Sequence, residues 1–156
     1  MRGYTMIELV IVFALISLGL ALTLFISMGD YTRSSFNDER DVILSTLYKA
    51  RSQSINNMCF GDSCTDGKTH GVYFGTAGQY VVFQGDSYAT RDADVDEIIT
   101  ANGKAVSVSG ITEVTFGRLR GDASVTPLNT ALTVQNTSGN VSVITVEPEG
   151  RIWWTN

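Results

Sequence analysis

Residues that carry chemistry are scarce in this sequence. A single histidine, His70, stands in 156 residues and reads as a strand-edge residue. The serines lie in turn-rich contexts and none pairs convincingly with it, so no catalytic constellation is visible and an enzyme is not expected. Two cysteines, Cys59 and Cys64, are the whole thiol complement. Without a matched second pair they fall short of a zinc ligand set, and neither a metal nor a cofactor is expected. Basic residues number 11 against 16 acidic ones, for a net charge of -5. That balance excludes a generally basic nucleic-acid surface and leaves room only for a local patch. The acidic run Asp92-Ala93-Asp94-Val95-Asp96-Glu97 has the alternating oxygens of a calcium loop. Its sixth position is Glu97 where such a loop needs Gly, and its twelfth is Gly103 where it needs Glu, so it reads as a solvated acidic loop. There is no internal repeat and no low-complexity tail.

Charge is also missing from Leu9 to Met28, and directly before that stretch sits one carboxylate, Glu8. At about 1.5 Å per residue the uncharged run covers about 30 Å, the thickness of a bilayer's hydrocarbon, and is expected to span a membrane. An acid at the edge of such a run needs a cation nearby. Cleavage after Gly3 would create one, because the new α-amine of Tyr4 stands one helical turn from Glu8, and a neighbouring subunit's amine would serve as well. The competing reading is a plain signal anchor with Glu8 at the headgroup level. Arg2 orients this end to the cytoplasm and the remainder outside it.

At Gly3, Tyr4 and Glu8 the sequence resembles the processing site of type IV pilins and type II secretion pseudopilins: a glycine, an aromatic or Met as first mature residue, and Glu at the fifth mature position. The resemblance implies that prepilin peptidase cuts between Gly3 and Tyr4 and methylates the Tyr4 amine. It implies further that an inner-membrane assembly platform moves the chain into a filament of pilin or pseudopilin subunits. The expected organisation is a leader over 1–3, a transmembrane and filament-core helix over 4–28, an amphipathic continuation over 29–58 and an antiparallel β domain over 59–156. Localisation follows as single-pass in a bacterial inner membrane with the C-terminal domain periplasmic, then in the filament. On that exported side Cys59 and Cys64 are free to oxidise, and a disulfide is expected, with metal binding the lesser alternative.

The continuation carries Phe36, Ile43, Leu47, Ile55 and Met58 at helical spacing, with Gly29-Asp30 as its soft point and Gly61 closing it. Two helices divided at Gly29 are the alternative. Known pilins often carry a proline in this helix. None occurs here, so a less strongly kinked rod is predicted. Beyond Met58 come short β-prone runs at 70–74, 79–84, 98–100, 105–108, 113–118, 131–135, 141–147 and 151–154, with hairpin turns at 75–78 and 137–140. The predicted fold class is α+β, a long N-terminal helix packed on antiparallel, sandwich-like sheets. Within the pilin-like group, Leu47 to Ile55, Gly71-Val72-Tyr73-Phe74, Val81-Val82-Phe83, Asp96 to Ile99, Val114-Thr115-Phe116 and Gly150-Arg151-Ile152 resemble the GspH/FimT family. The resemblance implies a minor pseudopilin or minor pilin at a filament tip or in its initiation complex.

Some minor pilins of that family take up DNA through a C-terminal Gly-Arg-x-Arg motif. The corresponding run here is Gly150-Arg151-Ile152-Trp153, with the second arginine replaced. Arg118 and Arg120 would supply phosphate contacts and a tryptophan would stack a base. Glu147, Glu149 and the acidic net charge stand against this, and a final strand with alternate side chains packed inward is preferred. A non-polymerising anchored receptor is the remaining alternative. The processing site generates a direct expectation: Gly3→Val blocks the peptidase, so the protein recovered from cells keeps the mass of the uncut chain. A trimmed mass for that variant would refute the assignment.

Overall fold

The computed structural model describes residues 5–62, 64–75, 78–100, 106–128 and 130–156, the side chains of 23–32 apart. Two compact units divide the chain, Met1–Ser34 and Ser35–Asn156. Helix α1 is Met6–Ile55. Nine strands follow: β1 His70–Phe74, β2 Gln79–Gln84, β3 Glu97–Thr100, β4 Val106–Ser109, β5 Glu113–Phe116, β6 Ala123–Thr126, β7 Leu132–Asn136, β8 Val141–Val146 and β9 Ile152–Thr155. Two 3-10 turns, Tyr88–Thr90 and Ala93–Val95, lie between β2 and β3.

Among the described residues no helix is long and apolar enough to cross a membrane. This corrects the expected transmembrane segment over 4–28, and with it the pilin-like fold class in that form and the single-pass inner-membrane location. The span was counted over the twenty uncharged residues from Leu9 to Met28, whereas the described apolar side chains of that run are those from Leu9 to Leu22, fewer than the roughly 20 a crossing needs; the side chains of 23–32 lie outside the described residues.

In the second unit the helix contributes a single stripe, Phe36, Ile43, Leu47, Ala50 and Ser54, all buried. The steps of seven, four, three and four keep these residues on one face. That face meets two antiparallel sheets, one ordered β3-β2-β1-β5-β6 and the other β4-β7-β8-β9. Alternation explains which strand residues join the core. Val72 and Phe74, Val114 and Phe116, Leu132 and Val134, and Ile144 and Val146 point inward, while their neighbours, the buried Gly71 apart, lie toward solvent or half-covered. Each such side chain contributes about 1.5–3 kcal/mol of hydrophobic stabilisation when fully buried.

The helix ends at Ile55 and is closed by Asn57, not by Gly61 as the sequence suggests. Asn57 adopts a left-handed φ of 54°, a conformation asparagine tolerates better than most side chains. Its N–H donates to the Ser54 carbonyl at 3.1 Å, and the Met58 N–H donates to the Gln53 carbonyl at 2.9 Å. These two bonds form a Schellman closure that satisfies the last carbonyls.

Two turns approach so closely that glycine is required. At Gly150, with φ of 78°, a Cβ would fall onto the Gly121 carbonyl. A third turn joins β7 to β8, where the Asn136 Oδ1 accepts from the N–H groups of Ser138 at 3.1 Å and Asn140 at 2.9 Å. That local bond sets the register Leu132↔Ile144 and Val134↔Ser142.

Ser54 is the polar clasp of this unit. Its hydroxyl donates to the Phe116 carbonyl at 2.9 Å and accepts from the His70 N–H at 2.8 Å, so one side chain bonds β5 and β1 to the helix. The Leu119 N–H donates to the Ser54 carbonyl at 3.0 Å. Ser54→Ala removes both side-chain bonds and strands a buried N–H and a buried carbonyl. Urea unfolding is expected to show a loss of about 1–3 kcal/mol, well beyond that of an ordinary Ser→Ala change. A loss below about 0.5 kcal/mol, the range of surface substitutions, would refute the role.

Candidate functional site

Gly3 and Tyr4, the predicted cleavage pair, lie outside the described residues. Glu8 lies in the first turn of α1, where its charge is favourable to the helix dipole, and it is exposed. Around and beyond Glu8 the helix is apolar on every side. Met6, Ile7, Leu9, Val10, Ile11, Val12, Phe13, Leu15, Ile16, Leu18, Leu20 and Leu22 are all exposed, Met6 at 88% and Leu22 at 60%. At 100° per residue these positions go right round the helix, so no stripe is left for solvent. Ser17, the one polar side chain between Leu9 and Leu22, bonds back to the Phe13 carbonyl at 2.7 Å and needs no outside partner.

The expected disulfide between Cys59 and Cys64 is formed, with the two Cα atoms 5.7 Å apart. The three arginines considered for nucleic acid are differently placed. Arg151 is held by Glu147, with Nη2 to Oε2 at 2.6 Å and Nε to Oε2 at 2.7 Å, and Trp153 Nε1 donates to the other Glu147 oxygen at 3.1 Å. Arg118 donates to the Asn57 Oδ1 at 2.5 Å, and Arg120 is exposed in the same turn. Trp154 lies under the Arg40 guanidinium, 4.0 Å from its ring centre. The C-terminal arginine is therefore paired at the surface with a carboxylate, and both tryptophans have contacts within their own unit.

The acidic run is similarly engaged. Asp96 accepts from Arg91 at 2.7 Å, Glu97 pairs with Lys49 on the helix, and no group of three metal-ligating side chains occurs among the described residues.

Two features escape a reading by sequence alone. Glu39 is buried and accepts a hydrogen bond from the Tyr80 hydroxyl. Burial first, then the Glu39 carboxylate, pushes the Tyr80 pKa far above its ordinary value, so the phenol stays protonated and donates. The signal was present in the spacing, since Glu39 falls three residues after Phe36 and four before Ile43. His70, read from the sequence as a strand-edge residue, instead opens the central strand of its sheet and is 1% exposed.

Burial holds the His70 pKa below its ordinary 6.5, and the Lys68 backbone opposes this only in part. Comparison with known proteins finds no family model, no curated protein and no solved structure that matches the chain.

The depressed pKa fixes the sign of a pH dependence. The unfolded imidazole takes its proton near pH 6.5 and the folded one only at lower pH, so between those limits the unfolded chain binds the extra proton. This contribution to stability is complete above about pH 6.5 and declines as pH falls toward the folded value. The urea midpoint is expected to drop between about pH 7 and about pH 5.5, above the range where most carboxylates titrate. His70→Phe should flatten that slope; an identical slope in the variant would refute the assignment.

Proposed function

We propose that this chain is a non-catalytic subunit of a helix-packed filament of the type IV pilus or type II secretion pseudopilus kind, trimmed after Gly3 and placed at a tip or in an initiation complex. The observation that carries it is the apolar surface from Met6 to Leu22, exposed around the whole helix. A two-helix seam needs only a stripe. Apolar cover on every side calls for several helices at once, which is the environment inside a bundle of identical or related subunits. The partners are other subunits of that filament, the prepilin peptidase and the assembly platform.

Glu8 gives the packing a register. Its carboxylate is stable among apolar helices only beside an amine, and the trimmed terminus of its own or a neighbouring chain supplies one. A subunit docked out of step leaves both charges without partners. DNA capture has less support, because Arg151 is already paired with Glu147.

Glu8→Ala is expected to leave trimming intact and to reduce the protein in sheared filaments by at least about tenfold, the factor that about 1.4 kcal/mol of lost pairing produces. Quantitative blotting of sheared fibres against whole cells measures it. Equal incorporation of variant and wild type would overturn the register role, and absence of the wild-type protein from all fibres would overturn the filament assignment.

A further inference from the structure

Between β5 and β6 the chain exposes Arg118, Leu119 and Arg120 in succession, with Leu119 60% exposed at a left-handed φ of 64°. That conformation suits glycine or asparagine and is uncommon for leucine. Three backbone bonds hold it. The Leu119 N–H donates to the Ser54 carbonyl at 3.0 Å, the Gly117 N–H to the Asp122 carbonyl at 2.7 Å and the Gly121 N–H to the Gly117 carbonyl at 2.8 Å. The fold thus fixes an apolar side chain in water at a position where another residue would be easier to place. Two further exposed apolar side chains adjoin it: Ile55 lies against Gly121, and Met58 follows the Asn57 that accepts from Arg118.

The charge around these three is mainly positive. Arg51 donates to the Gly121 carbonyl at 3.4 Å and Arg118 to the Asn57 amide, so neither meets an acid there, and Arg120 has no partner among the described residues. Asp122, the acid of the same loop, lines a hollow with Thr69, Asp86 and Ser124. The turn at Gly150 meets Gly121 and brings Glu147, which is paired with Arg151, and the exposed Glu149.

We infer that this patch docks on an anionic phospholipid surface, with Leu119 entering the boundary between headgroups and acyl chains and Arg118 and Arg120 meeting phosphates on either side of it. Apolar burial and attraction to anionic headgroups together set the strength of such binding. The long arginine stems can follow the leucine inward while their guanidinium groups stay at the phosphates. A neutral bilayer would receive Leu119 and offer the arginines no net negative charge. A nucleic acid would use the arginines and leave Leu119, Ile55 and Met58 in water, and none of these residues is aromatic, so a base has no ring here on which to stack. Each basic residue close to an anionic membrane strengthens binding about fivefold, and the attraction fades within a Debye length of about 8–10 Å.

The test places an environment-sensitive fluorophore on Leu119→Cys of the full-length chain, with Cys59 and Cys64 left in their disulfide. The same label on Leu128→Cys is the reference, since Leu128 is also apolar and exposed but has Pro127 and Asn129, not arginines, beside it. Vesicles of phosphatidylcholine alone are compared with vesicles holding an equal part of phosphatidylglycerol, so that any partition of the apolar helix surface is common to both labels. All the substituted side chains are exposed, and each variant is expected to fold. The Leu119 label is expected to shift to the blue and to be quenched by nitroxide-bearing lipid, at a lipid concentration at least about twentyfold lower for the anionic vesicles. The Leu128 label should stay in water. Arg120→Gln should reduce the anionic preference about fivefold, and Arg118→Gln with Arg120→Gln, or high salt, should abolish it. An equal response to neutral vesicles, an equal response at Leu128, an undiminished preference in the double arginine variant, or a response to duplex DNA without one to anionic vesicles would each overturn the inference.

Discussion

One stripe on one helix organises the second unit. Phe36, Ile43, Leu47, Ala50 and Ser54 present a surface that both sheets need, since the two sheets share no strand and no ladder with each other. Their inward residues, Val72, Val114 and Phe116 from one and Leu132, Val134 and Ile144 from the other, belong to a single core with that stripe. Hydrophobic burial supplies the stability but has no direction. Direction comes from Ser54 at the end of the stripe, which bonds β1 and β5 through one hydroxyl. A helix shifted along its axis would keep much of its apolar contact and lose both bonds.

Much of the β organisation was legible because it is written in alternation. The runs at 70–74 and 79–84 coincide with β1 and β2, and the turn before Val141 joins two antiparallel strands as its residues suggest. Strand β6 was not legible. Ala123-Ser124-Val125-Thr126 has small or polar side chains, lies at the sheet edge and is exposed on alternate positions, so it emits no hydrophobic signal. The helix stop was misplaced for a related reason: glycine is the usual left-handed residue, and here asparagine takes that conformation. His70 was misjudged because β1 pairs with both β2 and β5, and the β5 pairing joins residues far apart in sequence. The span across a membrane, inferred from an uncharged run, is the part that the described helix does not support.

The candidate site was legible at its acid and not at its surroundings. Glu8 and the uncharged residues after it can be read directly. Which cations are available to a ligand cannot, because availability depends on pairing in three dimensions. Arg151 is taken by Glu147, Arg91 by Asp96 and Lys49 by Glu97. Of these, Lys49–Glu97 joins residues too distant in sequence to be anticipated. Local pairing of this kind lowers the charge that a phosphate backbone would meet, whatever the count of arginines suggests.

Buried polar groups in the second unit find partners within it. Glu39 is met by Tyr80, Ser142 donates to the Thr155 carbonyl, and Gln84 spends both ends of its amide on Phe60. Asp96 and Asn136 each leave one atom without a partner, but in both the companion oxygen is bonded. Unsatisfied buried polarity is costly wherever it occurs. The partners come from different parts of the unit, Glu39 of α1 with Tyr80 of β2, and Gln84 of β2 with the backbone of Phe60, so these bonds give a fixed register to segments that the apolar core alone would hold without direction.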